Sequence, residues 1–189
     1  HAEKPGEKIR ISGGGRCNFT NIHSSPSNFL SQNPHFIKSA LKRYGPKDFI
    51  ALVERYGIAY HEKTLGQLFC DASSKQIIDL LLDECSLGGV ELQLSTRVRE
   101  IGKLDDGFLI DTEGAWTEEV KASRLVIATG GKSIPKMGAT GFGYDVAKQF
   151  GLKLVDPCAA LVPLTFSGTV LEEMSKLSGV SVDAVVRCG

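Results

Sequence analysis

Nowhere in these 189 residues does an apolar run reach the roughly 18 positions that a membrane-spanning helix needs. The opening HAEKPGEK also lacks the apolar core of a signal peptide. Neither sign of charge prevails, since Lys+Arg and Asp+Glu number 22 each. That balance argues against a general nucleic-acid or anionic-membrane surface and leaves only local basic patches open. Cysteine is sparse and unpatterned: Cys17, Cys70, Cys85, Cys158 and Cys188 are odd in number, with no C-x-x-C pair and no zinc spacing. These absences predict a cytoplasmic protein with reduced thiols, no metal, and neither a membrane nor a nucleic acid as partner.

What is present suffices for a folded core, with 42% hydrophobic and 23% charged residues. The segment KIRIS reads as a brief extended stretch before the glycines of ISGGGRCNFTN, Ile11 through Asn21, and NFTNIHSSPSN reads as loop. From Pro34 the pattern turns helical, with Phe36, Ile37, Ala40 and Leu41 on one face. A second helix fits Pro46 to Tyr56, with proline in its first turn and Gly57 beyond its end. IAYHEK and QLFC predict a hairpin around Thr64-Leu65-Gly66.

The clearest helix is SSKQIIDLLLDECSLGG, capped by Ser73 or Ser74 and stopped at Gly88-Gly89, with Ile77, Ile78, Leu81, Leu82 and Cys85 buried. VELQLS predicts a strand, and the stretches from VREIGKL to Val120 predict a small antiparallel meander. RLVIATGG is continuously apolar at Leu125 to Ala128, as for a strand covered on both faces. Helices follow at YDVAKQFG and around Thr169 to Leu177. VSVDAVVRCG alternates like a strand with no partner after it, which predicts an internal fragment of a longer protein whose exposed edge favours self-association.

Two motif readings fail on spacing. G-x-G-x-x-G would place its third glycine at Asn18, and a phosphate-binding G-x-x-x-x-G-K ending in Gly131-Lys132 would need glycine where Val126 stands. His61-Glu62 lacks the second histidine of a zinc-protease motif. Two glycine loops survive, each after an apolar stretch, and both suit a ligand at strand carboxyl ends. Glycine-rich backbone forms anion-binding concavities. Arg16 adds a planar donor fork suited to pyrophosphate, and Asn18, Thr20 and Asn21 add donors and acceptors. The residues equally allow Gly13 to Gly15 to be a tight turn with Arg16 paired to a surface carboxylate, and Gly130-Gly131 to be a plain strand-to-helix turn. Cys17 reads as a packed thiol.

ISGGGRCNFTN, with ATGGKSIPKMGATGFGY and ALVPL, resembles the FAD-dependent flavoprotein family that includes aminoacetone-oxidase-like NAD(P)/FAD-dependent oxidoreductases. GQLFCDASSK and STRVREI look like segments of the same family, and the likeness runs from about Gly6 to the last residue. The resemblance implies an α/β, Rossmann-like FAD-binding domain of the two-dinucleotide-binding-domain type, interrupted by an inserted, mostly β domain. Residues 1–163 would be a partial FAD domain without its first β-α-β unit, and 164–189 the start of the insertion. By the same resemblance, Gly13, Gly14, Gly15, Arg16, Asn18 and Thr20 would line the flavin and pyrophosphate. Val98 would meet the adenine through its backbone, and Ala128, Thr129, Gly130 and Gly131 would pass beneath the cofactor.

Two positions depart from the family: Phe142, where an acidic residue is common, and Leu152, where histidine is frequent. The implied activity is flavin-mediated hydride transfer in the intact parent, with a small-molecule substrate and NAD(P)H as a candidate electron donor. The isolated chain is expected to bind FAD weakly and to be inactive. A non-catalytic flavin or nucleotide module is the alternative, and an RNA-modifying relative has weaker support because no basic stripe stands out.

Overall fold

A computed structural model of the chain describes residues 2–132, 140–159, 164–180, 182–185 and 187. The expectations for SIPKMGA, ALVP and parts of the last segment therefore fall outside the described residues. The chain divides into two compact units, residues 1–146 and 147–189.

In the first unit, helix α1 (Glu7–Ile11) leads into the glycine loop, whose Ser12–Gly15 form one irregular 3-10 turn. KIRIS is thus helical rather than extended. Gly6, at φ +69°, starts α1 in a left-handed conformation, and the Arg10 amide donates to the Gly6 carbonyl at 2.8 Å. Strand β1 (Asn18–Asn21) replaces the loop expected at NFTN. Its polar residues disguise it, because Phe19 alone brings an aromatic ring to the core, against Phe49 and Tyr60.

Helix α2 (Lys38–Arg43) and helix α3 (Pro46–Arg55) follow as anticipated, separated by Gly45. The Gly45 amide donates to Asp48 at 2.7 Å, so the carboxylate satisfies a donor at the start of α3. Strands β2 (Tyr60–Glu62) and β3 (Gln67–Cys70) form the expected antiparallel hairpin. Strand β1 pairs on the other side of β3, giving the order β1-β3-β2.

Helix α4 (Lys75–Leu87) covers this sheet. Ile77, Ile78 and Leu80 are its buried residues, whereas Leu81, Leu82 and Cys85 are half-buried. Leu80 belongs to the buried stripe because Ile77 and Leu80, three apart, share a face one turn long. With Val53, Ile58, Cys17 and Cys70 they make one core cluster. Burying a side chain the size of leucine contributes about 2 kcal/mol. Across α3 and α4, Glu84 accepts from Arg55 at 2.7 Å and from the Tyr56 hydroxyl at 2.8 Å. The Tyr56 hydrogen bond, seconded by Arg55, holds the Glu84 carboxyl below its ordinary range and raises the tyrosine.

The meander is as read: β4 (Thr96–Leu104), β5 (Gly107–Gly114) and β6 (Glu119–Ala122) run antiparallel in that order. Ile101, Ile110 and Thr112 are its buried positions. Thr112 spends its hydroxyl on the Trp116 and Glu118 carbonyls, closing the β5–β6 connection.

Two expected strands do not form. Residues 90–94 and 124–130 carry no strand, and Val90, Leu92 and Val126 are exposed, Val126 at 84%. A continuously apolar strand needs neighbours on both sides and cover on both faces, and neither segment finds a pairing strand among the described residues. Helix α5 (Phe142–Gln149) spans the boundary between the units, and helix α6 (Gly168–Lys176) lies in the second. Residues 182–185 are exposed and form no strand, with Val182 and Val185 more than 80% exposed.

Candidate functional site

The glycine loop is built by three consecutive left-handed residues, Gly13, Gly14 and Gly15, at φ +58°, +65° and +84°. Such a run is accessible only to glycine without strain. It follows a helix and not an extended segment, so the symmetry expected between the two loops is absent. The glycines do different things. A Cβ on Gly13 would lie 2.6 Å from the Phe69 ring, so this residue packs the loop onto β3. Around Gly14 and Gly15 nothing lies within 4 Å of that position. Their backbone therefore faces open space.

The loop is pinned from below. The Gly15 carbonyl accepts from the Ser74 amide at 2.7 Å, the Arg16 carbonyl from the Cys70 amide at 3.0 Å, and the Ser12 carbonyl from Cys17 at 3.0 Å. Ser74, buried at the start of α4, does not cap that helix with its side chain. Its hydroxyl donates to the Arg10 carbonyl at 3.0 Å. One serine thus holds both the end of α1 and the glycine loop. Three residues before Gly13, the Arg10 Nε is buried without a partner.

Cys17, left-handed at φ +54°, is 4% exposed and packs in the core as read. A second thiol does lie in that core: burial, with the Cys17 thiol adding to it, pushes Cys70 from its ordinary 9.0 up to about 11. Cys70 is therefore a neutral thiol at physiological pH.

Arg16 is exposed and makes no ion pair among the described residues. Asn18 and Thr20 lie on β1, which carries them away from the glycines along the strand. The Asn21 side chain donates to the Leu65 carbonyl and accepts from the His23 amide, tying the β2–β3 tip to the chain after β1.

The second loop is held otherwise. Ala128, Thr129 and Gly130 are exposed, with Gly130 at φ +72° and open space around it. A Cβ on Gly131 would meet the Tyr144 hydroxyl at 2.9 Å, and one on Gly143 the Thr129 hydroxyl at 3.1 Å. The loop thus leans on the first turn of α5. Val98 is half-buried in β4, opposite Thr112. Among the described residues, no hydrogen bond, ion pair or ring contact joins the Gly13 loop, Val98 and the Gly130 loop.

Fitted against a dinucleotide cofactor, the first loop offers what a pyrophosphate needs: unobstructed backbone at Gly14 and Gly15 and the unpaired Arg16 cation. Gly130 offers a second unobstructed approach. No group of three or more metal-ligating residues occurs among the described residues. None of the helices described is long and apolar enough to cross a membrane.

A region that composition conceals adjoins β1. From Lys8 to Lys47 the chain contains no Asp or Glu, yet it carries Lys8, Arg10, Arg16, Lys38, Lys42, Arg43 and Lys47. The whole-chain charge balance hides this, whereas a running charge count reveals it. Beside it lies an open groove of about 350 Å³, lined by Phe19, Thr20, Phe29, Leu41, Tyr44 and Phe49 among others.

Comparison with known proteins adds the following. The family description "HI0933-like protein Rossmann domain" matches residues 1–186. A ribosomal RNA dihydrouridine synthase of Escherichia coli (strain K12) is 52% identical over 186 residues, covering 98% of this chain and 46% of that protein. The protein of the same name from Haemophilus influenzae is 43% identical over 195 residues, covering 100% and 48%. A 3-dehydro-bile acid delta(4,6)-reductase of Clostridium scindens is 29% identical over 186 residues, covering 97% and 44%. The chain spans about half the length of the curated relatives it matches. These relatives are enzymes, and none of the three bears the aminoacetone-oxidase name.

Proposed function

The chain belongs to the HI0933-like protein Rossmann domain family, and from that premise we propose that it is part of a FAD-dependent reductase that converts uridine to dihydrouridine in ribosomal RNA. The observation that carries this reading is the 52% identity, across nearly the whole chain, to a protein of that named activity. The open left-handed loop supports the cofactor half of it.

In this reading Gly14 and Gly15 bring bare backbone to the pyrophosphate, Arg16 neutralises its charge, and Thr129 to Gly131 bound the cofactor from the other side. The net reaction adds one hydride and one proton across the uracil 5,6 double bond and oxidises one NAD(P)H to NAD(P)⁺. FAD, when bound, carries the hydride from the nicotinamide to the base. Ser74 and Cys70 keep the loop in shape without touching the reaction.

The test is complementation. A strain lacking its own ribosomal RNA dihydrouridine synthase receives the full-length gene, and nucleosides from its ribosomal RNA are measured by mass spectrometry. Dihydrouridine should reappear, and its continued absence despite a soluble yellow protein overturns the RNA substrate. A second reading, reduction of a small molecule, draws on the 29% identical bile-acid reductase. It predicts NAD(P)H consumption with a conjugated small substrate and none with RNA. Bound flavin that no donor reduces would favour a non-catalytic module instead.

A further inference from the structure

We propose that the acid-free segment, from Phe29 to Lys47, is the surface that grips the RNA, with phosphates on Lys38, Lys42, Arg43 and Lys47 and an unstacked base in the adjoining aromatic groove. The inference rests on the reading of the substrate as RNA and adds where on the chain it binds.

Three observations converge. Elsewhere in the first unit four exposed cations are matched, Arg55 with Glu84, Lys75 with Asp79, Arg97 with Glu113 and Arg99 with Asp111. Lys38, Lys42, Arg43 and Lys47 are exposed and pair with no carboxylate among the described residues. Lys38 and Lys42 are four apart on α2, so they share one face and line up along it.

Aromatic surface stands in the same segment, with Phe29, Phe36 and Tyr44 respectively 40%, 58% and 53% exposed. Phe29 and Tyr44 line the groove together with Phe19 and Phe49. Its volume, about 350 Å³, falls within the range of small-molecule sites, about 300–1,000 Å³. Cations that follow a backbone beside aromatic faces that stack bases are the recognition chemistry of single-stranded nucleic acid. An enzyme acting on C5 and C6 of a base must take that base out of its stack, which requires such a place to receive it. A duplex keeps its bases stacked and offers the groove nothing.

The experiment uses the full-length protein with its flavin and a fluorescein-labelled, uridine-containing RNA stem-loop, against a fully paired duplex of the same sequence. Anisotropy titrations from 50 to 200 mM salt compare wild type with Lys38→Gln/Lys42→Gln/Arg43→Gln. The control is Arg97→Gln/Arg99→Gln, which removes matched cations. Losing three single-strand phosphate contacts should make the slope of log affinity against log salt shallower by about 2 and weaken binding about tenfold at 100 mM. The control should bind as wild type does, and all three proteins should keep equal flavin absorbance.

Unchanged affinity and slope in the triple variant overturn the proposal, as does equal preference for the duplex. Should the triple variant lose flavin, photocrosslinking of 4-thiouridine RNA to wild type decides. Crosslinks in peptides covering residues 29–47 support the surface, and crosslinks confined elsewhere overturn it. The complementation assay keeps the two readings apart. Dihydrouridine made normally at limiting expression by the triple variant removes this surface and leaves the activity standing. Dihydrouridine never made by wild type removes the substrate.

Discussion

The two glycine loops share a residue type and an open side, yet the molecule holds them in opposite ways. The Gly13 loop rests on a core: the Phe69 ring blocks one glycine, three backbone hydrogen bonds fasten the turn, and Ser74 locks its base. The Gly130 loop follows an exposed apolar stretch and, among the described residues, leans on Gly143 and Tyr144 at the start of α5. The first loop's shape is therefore fixed by its own neighbours within residues 2–74. The second segment has the composition of a covered strand without a pairing strand among the described residues.

The comparison breaks most visibly at Gly13. Gly13→Ala combines overpacking against Phe69 with a left-handed alanine and should cost about 2–5 kcal/mol, read as a lower urea midpoint. Gly130→Ala has only the backbone conformation to bear and should cost about 1–2 kcal/mol. Equal costs at the two positions would show that Phe69 yields and that the first loop is no better braced.

The next effect is alkaline. The Cys70 thiol beneath the first loop is raised from 9.0 to about 11. A raised value favours the neutral thiol in the folded state. Its contribution is thus intact below pH 9 and is lost as pH rises toward 11. Stability should fall by about 2–3 kcal/mol across that window, measured as urea midpoints at stepped pH. Cys70→Ala should flatten the slope, and an unaltered slope would place the titration elsewhere.

A smaller, functional contrast sharpens the assignment of roles. Gly14→Leu and Gly130→Leu both enter open space and carry similar strain, about 1–2 kcal/mol. Gly14→Leu in the full-length protein should weaken FAD by at least about tenfold, or 1.4 kcal/mol, because the side chain takes up the open space through which the proposed cofactor approaches the backbone. Flavin retained at wild-type affinity would remove Gly14 from the cofactor's path. Smallest of all, Asp79→Asn deletes an exposed i,i+4 pair with Lys75 and should shift stability by under about 0.5 kcal/mol.

Much of this architecture was legible in the sequence, for local reasons. The hairpin at Thr64 to Gly66, helix α4 and the meander announce themselves through turn residues and apolar periodicity, which depend on nearby positions. KIRIS was misread because five residues of alternating apolar and basic character fit a strand as well as one helical turn, and the left-handed Gly6 that starts the helix leaves no distinctive pattern. Strand β1 was hidden because NFTN is polar, and only its pairing with β3, some 48 residues away, makes it a strand. The thiol neighbour of Cys17 was invisible for the same reason, since Cys70 comes near through that pairing. The shape of the glycine loop was legible in Gly13 to Gly15, all three of which take positive φ. The role of Ser74 was not, because nothing in the sequence distinguishes a serine that caps its own helix from one that donates to a distant carbonyl. The basic segment escaped because total charge averages it away.

Ser74 also makes the first turn of α4 and the glycine loop mechanically one piece. Fraying at that helix start releases the Gly15 carbonyl and the Arg10 carbonyl together, so the two would melt and reform in step. The amides of Ser74, Cys70 and Cys17 would then exchange with solvent deuterium at a common rate, a single clock beating beneath the three glycines.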